Sequence, residues 1–420
     1  MPYVTDRLIH DADAHIMETP DWLDPYLDPA IAGRVERRPL VGGVGGTGDS
    51  DGDGGDGGRG EGRGGGGGGA SATEARFFAR MADQQADPEY RARDEELITI
   101  RKNWEAPGSW IAADRPAALD HLGFASQLLF NTFDSAYLDT LEKGDDLDLA
   151  YGVARAHNRA MVDFCSVDRR LLPTCYVPLA DFDRSAAMAA EAVGMGAAAL
   201  LMASSCPAGH SPSHIGLDPV WASAAEAGIP VVFHVGGGGR LLDPNYFRNG
   251  LPVPPDFHGG AENFRSVDYM AIPGPPMQTL ATMIFDGVLE RFPTLRIGVI
   301  EQGAIWVPGW MRQMESAMDA FVRHEERLQH LSLRPSEYVQ RQIRVTPYPT
   351  EDVGWIAAQG GEDVVLFSSD YPHVEGGRRP IERFERSLGD AGDEVRRKFY
   401  VDNFVDLMGR ALDVLEPAPA

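Results

Sequence analysis

The sequence predicts an α/β fold, a (β/α)8 TIM barrel. Three observations carry this: eight short apolar runs alternate with stretches of helical periodicity, ionisable residues end several of those runs, and 420 residues suffice for one large core. Repeated strand then helix implies parallel strands with crossover connections, and eight such units favour a closed barrel over an open doubly wound sheet. The candidate strands are 8–15, 126–131, 172–178, 198–203, 230–235, 296–301, 343–346 and 364–368. Helical spacing of apolar residues marks 150–164, 184–193, 219–227, 276–291 and 351–359.

In the first run Asp11, Asp13 and His15 occupy alternate positions and share one face, while His10, Ala12 and Ala14 face the other way. Ionisable groups on a buried strand face are costly unless a cation compensates, so this face predicts a metal ion. A salt-bridged strand end, with His15 an ordinary core histidine, is the plainer alternative for these residues taken alone. Glu18 follows just past the strand, placed to act in catalysis as a further oxygen ligand or as a support for the ligands.

After that strand the composition changes. Between 42 and 69 glycine fills 18 of 28 positions, which leaves almost no side chain to offset backbone entropy. The expectation is a disordered surface insertion interrupting one barrel domain that spans residues 1–420. Its single GxGxxG match, Gly43 to Gly48, leads into acidic glycine-rich sequence rather than a helix, so it does not predict nucleotide binding. The flanking segment 74–101 has the charge and periodicity of helices.

Later strand ends add to the first. His234 closes the run IPVVFH, Glu301 closes RIGVIE, and Asp370 follows VVLFSS. A polar residue ending a strand is common at any solvated loop, but barrel enzymes place their chemistry at these C-terminal ends, so the argument is convergence. His373 lies three residues beyond Asp370, suited to stabilising an oxyanion or binding a substrate carboxylate. His258 and Glu262 fall in a Pro- and Gly-rich loop after the fifth strand, and Gly236 to Gly239 read as a tight turn leaving it. Trp104, Trp110, Tyr246, Phe247 and Phe257 suggest either an apolar wall for substrate or packing along the barrel rim.

Composition bounds the partners. With 63 acidic and 38 basic residues the formal charge is −25, which opposes binding to nucleic acid or an anionic membrane surface. Three separated cysteines form no disulfide framework, and neither a leader nor a long apolar span is read, so the expected setting is the cytoplasm. A homodimer is the default expectation for an enzyme of this kind.

Four segments, DADAHIMETP, VVFHVGG, GVIEQGAIWVP and LFSSDYPHVEG, are similar to the second amidohydrolase family, whose members resemble aminocarboxymuconate semialdehyde decarboxylase. The resemblance covers nearly the whole chain except the glycine-rich insertion. It implies a metal held by Asp13 and His15 from the first strand and His234 from the fifth, with Asp370 as a ligand that also handles protons. Asp13 stands where many members have histidine, and Glu301 stands where many have a histidine on the sixth strand. Both changes put anionic oxygen in place of nitrogen, which suits one or two divalent ions such as iron or manganese, with zinc also open. Glu301 is read equally as a bridging ligand and as a group that contacts substrate or orients His15.

From this set hydrolysis ranks first: a metal-activated water attacks the acyl carbon of a small amide, ester, lactone or thioester, with Asp370 moving the proton. Nonoxidative decarboxylation of an aromatic or unsaturated acid ranks second, because extra anionic ligands oppose a substrate carboxylate. A non-catalytic barrel that binds a ligand ranks third. GxSxG, Walker and HExxH signatures are missing.

Overall fold

The computed structural model describes residues 1–35, 72–236, 242–252 and 265–415. Strand-then-helix alternation demands parallel pairing, and that is what forms. Strands β1 (His10–Ile16), β2 (Ser126–Asn131), β3 (Leu171–Tyr176), β4 (Ala199–Met202), β5 (Val231–His234), β6 (Ile297–Ile300) and β7 (Ile343–Val345) pair in parallel in chain order. Every strand residue is buried, as parallel strands covered on both faces require.

The expected eighth strand, 364–368, is not a strand. Its segment joins the two edges of the sheet through single bridges, Val345 to Val365 and Ala14 to Tyr371. The reason lies in where its N–H groups go. Val364 and Val365 both donate to the Gly361 carbonyl, and Phe367 donates to Phe399 at 2.9 Å. Only Leu366 N–H reaches β7, at Val345 (3.2 Å), and Asp370 N–H reaches β1, at Asp13 (2.9 Å). A ladder divided among these partners closes the barrel without extending along either neighbour.

Outer helices follow local signals. Asp146 and Asp181 accept from the first-turn amides of Leu149 and Arg184, capping helices Leu147–Cys165 and Phe182–Met195. Helices Phe182–Met195 and Asp218–Ala227 stop at Gly196 and Gly228, whose φ values of 99° and 70° favour glycine. The expected helix 276–291 is broken by Gly287 at φ 77° into Gly274–Phe285 and Val288–Arg291. Expected helix 351–359 shortens to Val353–Ile356, followed by a wide turn through Gly360 at φ 90°. Between the insertion and β2 run helices Ala72–Ala86, Pro88–Ala92 and Asp94–Leu97.

Fully buried Trp221, Phe233 and Phe367 fill the space between sheet and helices, while Phe130 packs inside against His15 and His234, each worth about 1.5–3 kcal/mol relative to exposure. Among the described residues no helix is long and apolar enough to cross a membrane. The expected insertion at 42–69 lies outside the described residues, as do 237–239 of the expected turn, Phe257, His258 and Glu262.

Candidate metal centre and active site

Five side chains meet at the C-terminal ends of the strands. Asp13 and His15 come from β1, His234 is the last residue of β5, Glu301 follows β6, and Asp370 follows the closing segment. His15 Nε2 lies 3.1 Å from Asp13 Oδ1 and 3.6 Å from Asp370 Oδ1. His234 Nε2 lies 3.4 Å from Asp13 Oδ1 and 3.2 Å from Glu301 Oε2.

Both imidazoles are oriented from behind. His15 Nδ1 donates to the Asn131 carbonyl at 3.1 Å, and His234 Nδ1 donates to the Val235 carbonyl at 2.7 Å, so each Nε2 lone pair points inward. Burial, with the neighbouring charge of His373, lowers the His15 pKa to about 4, so this ring is neutral at pH 7.

The cluster has unmet bonding capacity. Asp13 Oδ1 and Oδ2, His15 Nε2, His234 Nε2 and Asp370 Oδ2 are buried without a hydrogen-bond partner. Such groups cost several kcal/mol when left bare in a protein interior. The donor atoms of Asp13, His15, His234 and Glu301 all lie within 4.8 Å of one another, close to the roughly 4 Å that separates two ligands opposed across an ion with ~2.1 Å bonds. Residues and geometry fit a divalent cation. A second group, His15, Glu301, Asp370 and His373, shares two of these ligands. His373 is already engaged, however: its Nδ1 lies 2.8 Å from Asp370 Oδ1 and its Nε2 lies 2.9 Å from Thr132 Oγ1.

Backbone strain is concentrated here. Among described non-glycine residues, positive φ occurs at Asn103, Glu301 and Asp370, the last two both at 54°. Each such residue costs of order 1–3 kcal/mol and persists only where its surroundings impose it. Glu301 is held on both sides, its N–H donating to Thr346 Oγ1 at 2.8 Å and its carbonyl accepting from Tyr348 OH at 2.6 Å.

Two sequence expectations change. Asp11 does not continue the Asp13 and His15 row, because the register of β1 shifts between Asp11 and Ala14. Its carboxylate bonds instead to Gln127 and Ser369. Glu18 is not among the clustered groups. Its oxygens accept from the backbone N–H groups of Thr132, Phe133 and Asp134, at the start of helix Asp134–Glu142. Burial and the nearby Asp134 raise its pKa to about 8.

Burial opposes the charge of His373, but Asp370 outweighs that and raises the pKa to about 9. Sequence reasoning missed a second basic side chain, Lys102, whose Nζ donates to the Gly377 carbonyl at 2.7 Å. Next to it, Asn103 N–H donates to the Pro372 carbonyl at 3.0 Å, so this segment is docked on the loop that carries Asp370. Burial lowers the Lys102 pKa to about 8, with the charge of Asp370 acting the other way. Thr132 was also missed, although the strand-end rule that marked His234 applies equally to the residue after β2. Of the expected aromatic wall, Trp104 stacks on Phe133 at 5.4 Å and Phe78 meets both Trp104 and Trp110 edge-on. Tyr246 is 68% exposed, and Phe247 lies under Arg265.

Comparison with known proteins agrees with this architecture. The family model described as amidohydrolase matches residues 11–407. Among curated proteins none matches the chain. Among solved structures, an amidohydrolase from Mycobacterium avium subsp. paratuberculosis K-10 superposes with a TM-score of 0.70 at 21% identity, covering 97% of this chain and 100% of that one. The 5-carboxyvanillate decarboxylase of Novosphingobium aromaticivorans DSM 12444, complexed with manganese and 4-hydroxy-3-methoxy-5-nitrobenzoic acid, gives a TM-score of 0.58 at 18% identity, covering 96% of each chain. A dihydroxybenzoic acid decarboxylase from Polaromonas sp. JS666, with bound manganese and 2-nitroresorcinol, gives 0.57 at 14% identity, covering 97% of this chain and 98% of that one.

Proposed function

The chain belongs to the amidohydrolase family, and from that membership we propose that it is a metal-dependent, nonoxidative decarboxylase of an aromatic carboxylic acid. The observation that carries the reading is the placement of two basic side chains, His373 against Asp370 and Lys102 on the loop that carries it. Asp13, Glu301 and Asp370 together exceed the charge of one divalent ion by a single negative charge. The basic side chains of His373 and Lys102 oppose that excess, which weakens the objection to an anionic substrate. The decarboxylases among the structural neighbours support the same choice.

In this reading one ion is held by Asp13, His15, His234, Glu301 and Asp370, and manganese is proposed because oxygen-rich donor sets suit it and two neighbours bind it. When bound, the ion supplies a grip on the substrate carboxylate and an adjacent oxygen. Lys102 completes the anion site from the loop side. Thr132 fixes the His373 ring, whose other nitrogen shares a proton with Asp370. As the bond from ring carbon to carboxylate breaks, that carbon takes a proton from the Asp370–His373 pair and CO2 leaves.

Hydrolysis is the second reading, favoured by the three carboxylates and by the amidohydrolase among the neighbours. There Asp370 takes a proton from water and passes it to the leaving group. The deciding experiment strips the protein of metal, refills it with manganese, iron or zinc, and assays aromatic acids beside esters, thioesters, amides and lactones. The decarboxylase reading expects metal-dependent CO2 release that Asp370→Asn abolishes. Acyl cleavage with no CO2 from any acid would replace it with hydrolysis.

A further inference from the structure

Behind the cluster runs a buried polar chain to which the proposed chemistry assigns no part. Arg115, Gln127 and Asp11 have no solvent exposure and Ser369 is 4% exposed. Arg115 Nη1 donates to the carbonyls of His15 (2.8 Å) and Gly108 (3.1 Å), while its Nε donates to Gln127 Oε1 (3.1 Å). Gln127 Nε2 in turn donates to Asp11 Oδ2 at 2.9 Å. Asp11 accepts three further bonds: Ser369 N–H at 2.8 Å, Ser369 Oγ–H at 2.6 Å and Asp13 N–H at 3.3 Å. The Ser369 hydroxyl then accepts from Tyr371 N–H at 3.1 Å.

Among the described residues neither Arg115 nor Asp11 forms an ion pair, although both are fully buried. A buried anion and cation held apart by a neutral amide give up most of the attraction that direct contact would provide. What the arrangement provides is direction. Every donor to Asp11 comes from β1, from β2 or from the closing segment, and two of them belong to Ser369, immediately before Asp370 with its left-handed backbone.

We propose that Asp11 is a positioning residue which, through Ser369, holds Asp370 in its left-handed conformation and registers it against Asp13, with Arg115 and Gln127 orienting the Asp11 carboxylate. The proposal rests on the metal-centre reading. It separates two carboxylates only one residue apart along the strand: Asp13 contacts the ion, and Asp11 sets the geometry in which Asp13 and Asp370 converge.

The test measures manganese affinity of the full chain by calorimetry and the visible absorption of the cobalt-substituted protein, whose bands report ligand geometry. Asp11→Asn keeps the shape but loses acceptor capacity, and Ser369→Ala removes the hydroxyl while keeping the backbone N–H. Loss of a supporting partner typically weakens metal affinity by about 10–100-fold, and that range is expected for Asp11→Asn, with a smaller loss for Ser369→Ala and a shifted cobalt spectrum in both. The double variant should lose less than the product of the two, because both cut the same contact. Folded variants that bind manganese within about twofold of wild type, with unchanged cobalt bands, overturn the proposal. Should Asp11→Asn not fold, Ser369→Ala decides by the same criteria. Wild-type protein that binds neither metal overturns the metal-centre reading, and this proposal with it.

Discussion

Gly376 offers a direct test of whether the loop after the closing segment sets the site. A Cβ at this position would sit 2.0 Å from the Ser369 carbonyl oxygen and 3.1 Å from Asp370 Cβ. Carbon and oxygen atoms in contact ordinarily stay about 3.3 Å apart, so Gly376→Ala demands a displacement of roughly 1.3 Å. The obstructing atom is backbone, one residue from Asp370, so the loop cannot yield without carrying that carboxylate. A misplacement of about 1 Å in a catalytic group costs on the order of 100-fold in rate, and overpacking costs about 1–3 kcal/mol of stability. The expected result is a folded protein melting a few degrees lower, with manganese occupancy well below one and turnover reduced about 100-fold. Gly309→Ala, in helix Val307–Phe321 with open space around it, is the control and should bind metal as wild type does. Metal content is read by elemental analysis after dialysis, alongside melting curves. Full occupancy and near-wild-type turnover in Gly376→Ala would show that the loop moves independently of Asp370, and the reasoning would fail.

His234→Ala should lose most bound metal while keeping its circular dichroism spectrum, since one ligand matters more to the site than to the seven-stranded core; full occupancy would place the ion elsewhere. Glu301→His should preserve or raise CO2 release from an aromatic acid by reducing the negative charge of the site, whereas a hydrolase should lose acyl cleavage; a silent decarboxylation assay with intact metal would count against the first reading. Lys102→Met should raise KM for an acid substrate about tenfold or more with metal content unchanged, as loss of a partly buried cation facing an anion predicts; an unchanged KM would remove Lys102 from the anion site. Glu142 supplies a pH test. Burial raises its pKa from 4.5 to about 7, so the folded state holds a proton more tightly than the unfolded chain. Its contribution is complete below the unfolded pKa and lost as pH rises through about 7, amounting to no more than about 3 kcal/mol. Glu142→Gln should therefore gain in melting temperature relative to wild type on going from about pH 5 to about pH 8.5; a pH-independent difference would refute the assignment.

Much of this architecture was legible in sequence because apolar runs and helical periodicity are local properties. Strand β2 has the expected bounds and the other six lie within three residues of them, since a fully buried strand can be read from its own residues. The eighth strand was not legible, because its pairing is decided by which distant carbonyls its N–H groups meet, above all Phe399. The convergence of Asp13, His15, His234, Glu301 and Asp370 was legible from position alone, since parallel barrel strands deliver their last residues to one face. Asp11 was misplaced for a physical reason: strict alternation carries no sign of the register shift that turns its side chain toward Gln127. Glu18 caps a helix that begins more than a hundred residues later, and Lys102 reaches the Asp370 loop from the segment between insertion and β2. Neither contact leaves a pattern in the local sequence.

The single-bridge closure of the barrel divides the site mechanically. His15 and His234 stand at paired positions, in a wall whose strands support one another along their length. Asp370 stands on the seam, where one bridge on each side stitches the circle shut. Two of the five clustered groups thus belong to the paired wall, while Asp370, with Asp13 bonded to it, belongs to the seam. Substitutions along 364–377 therefore reach Asp370 first, and through its bond to the Asp13 carbonyl they reach β1. Rate and metal capture are thus joined at the seam, since the residue stitched there is also one of the proposed ligands.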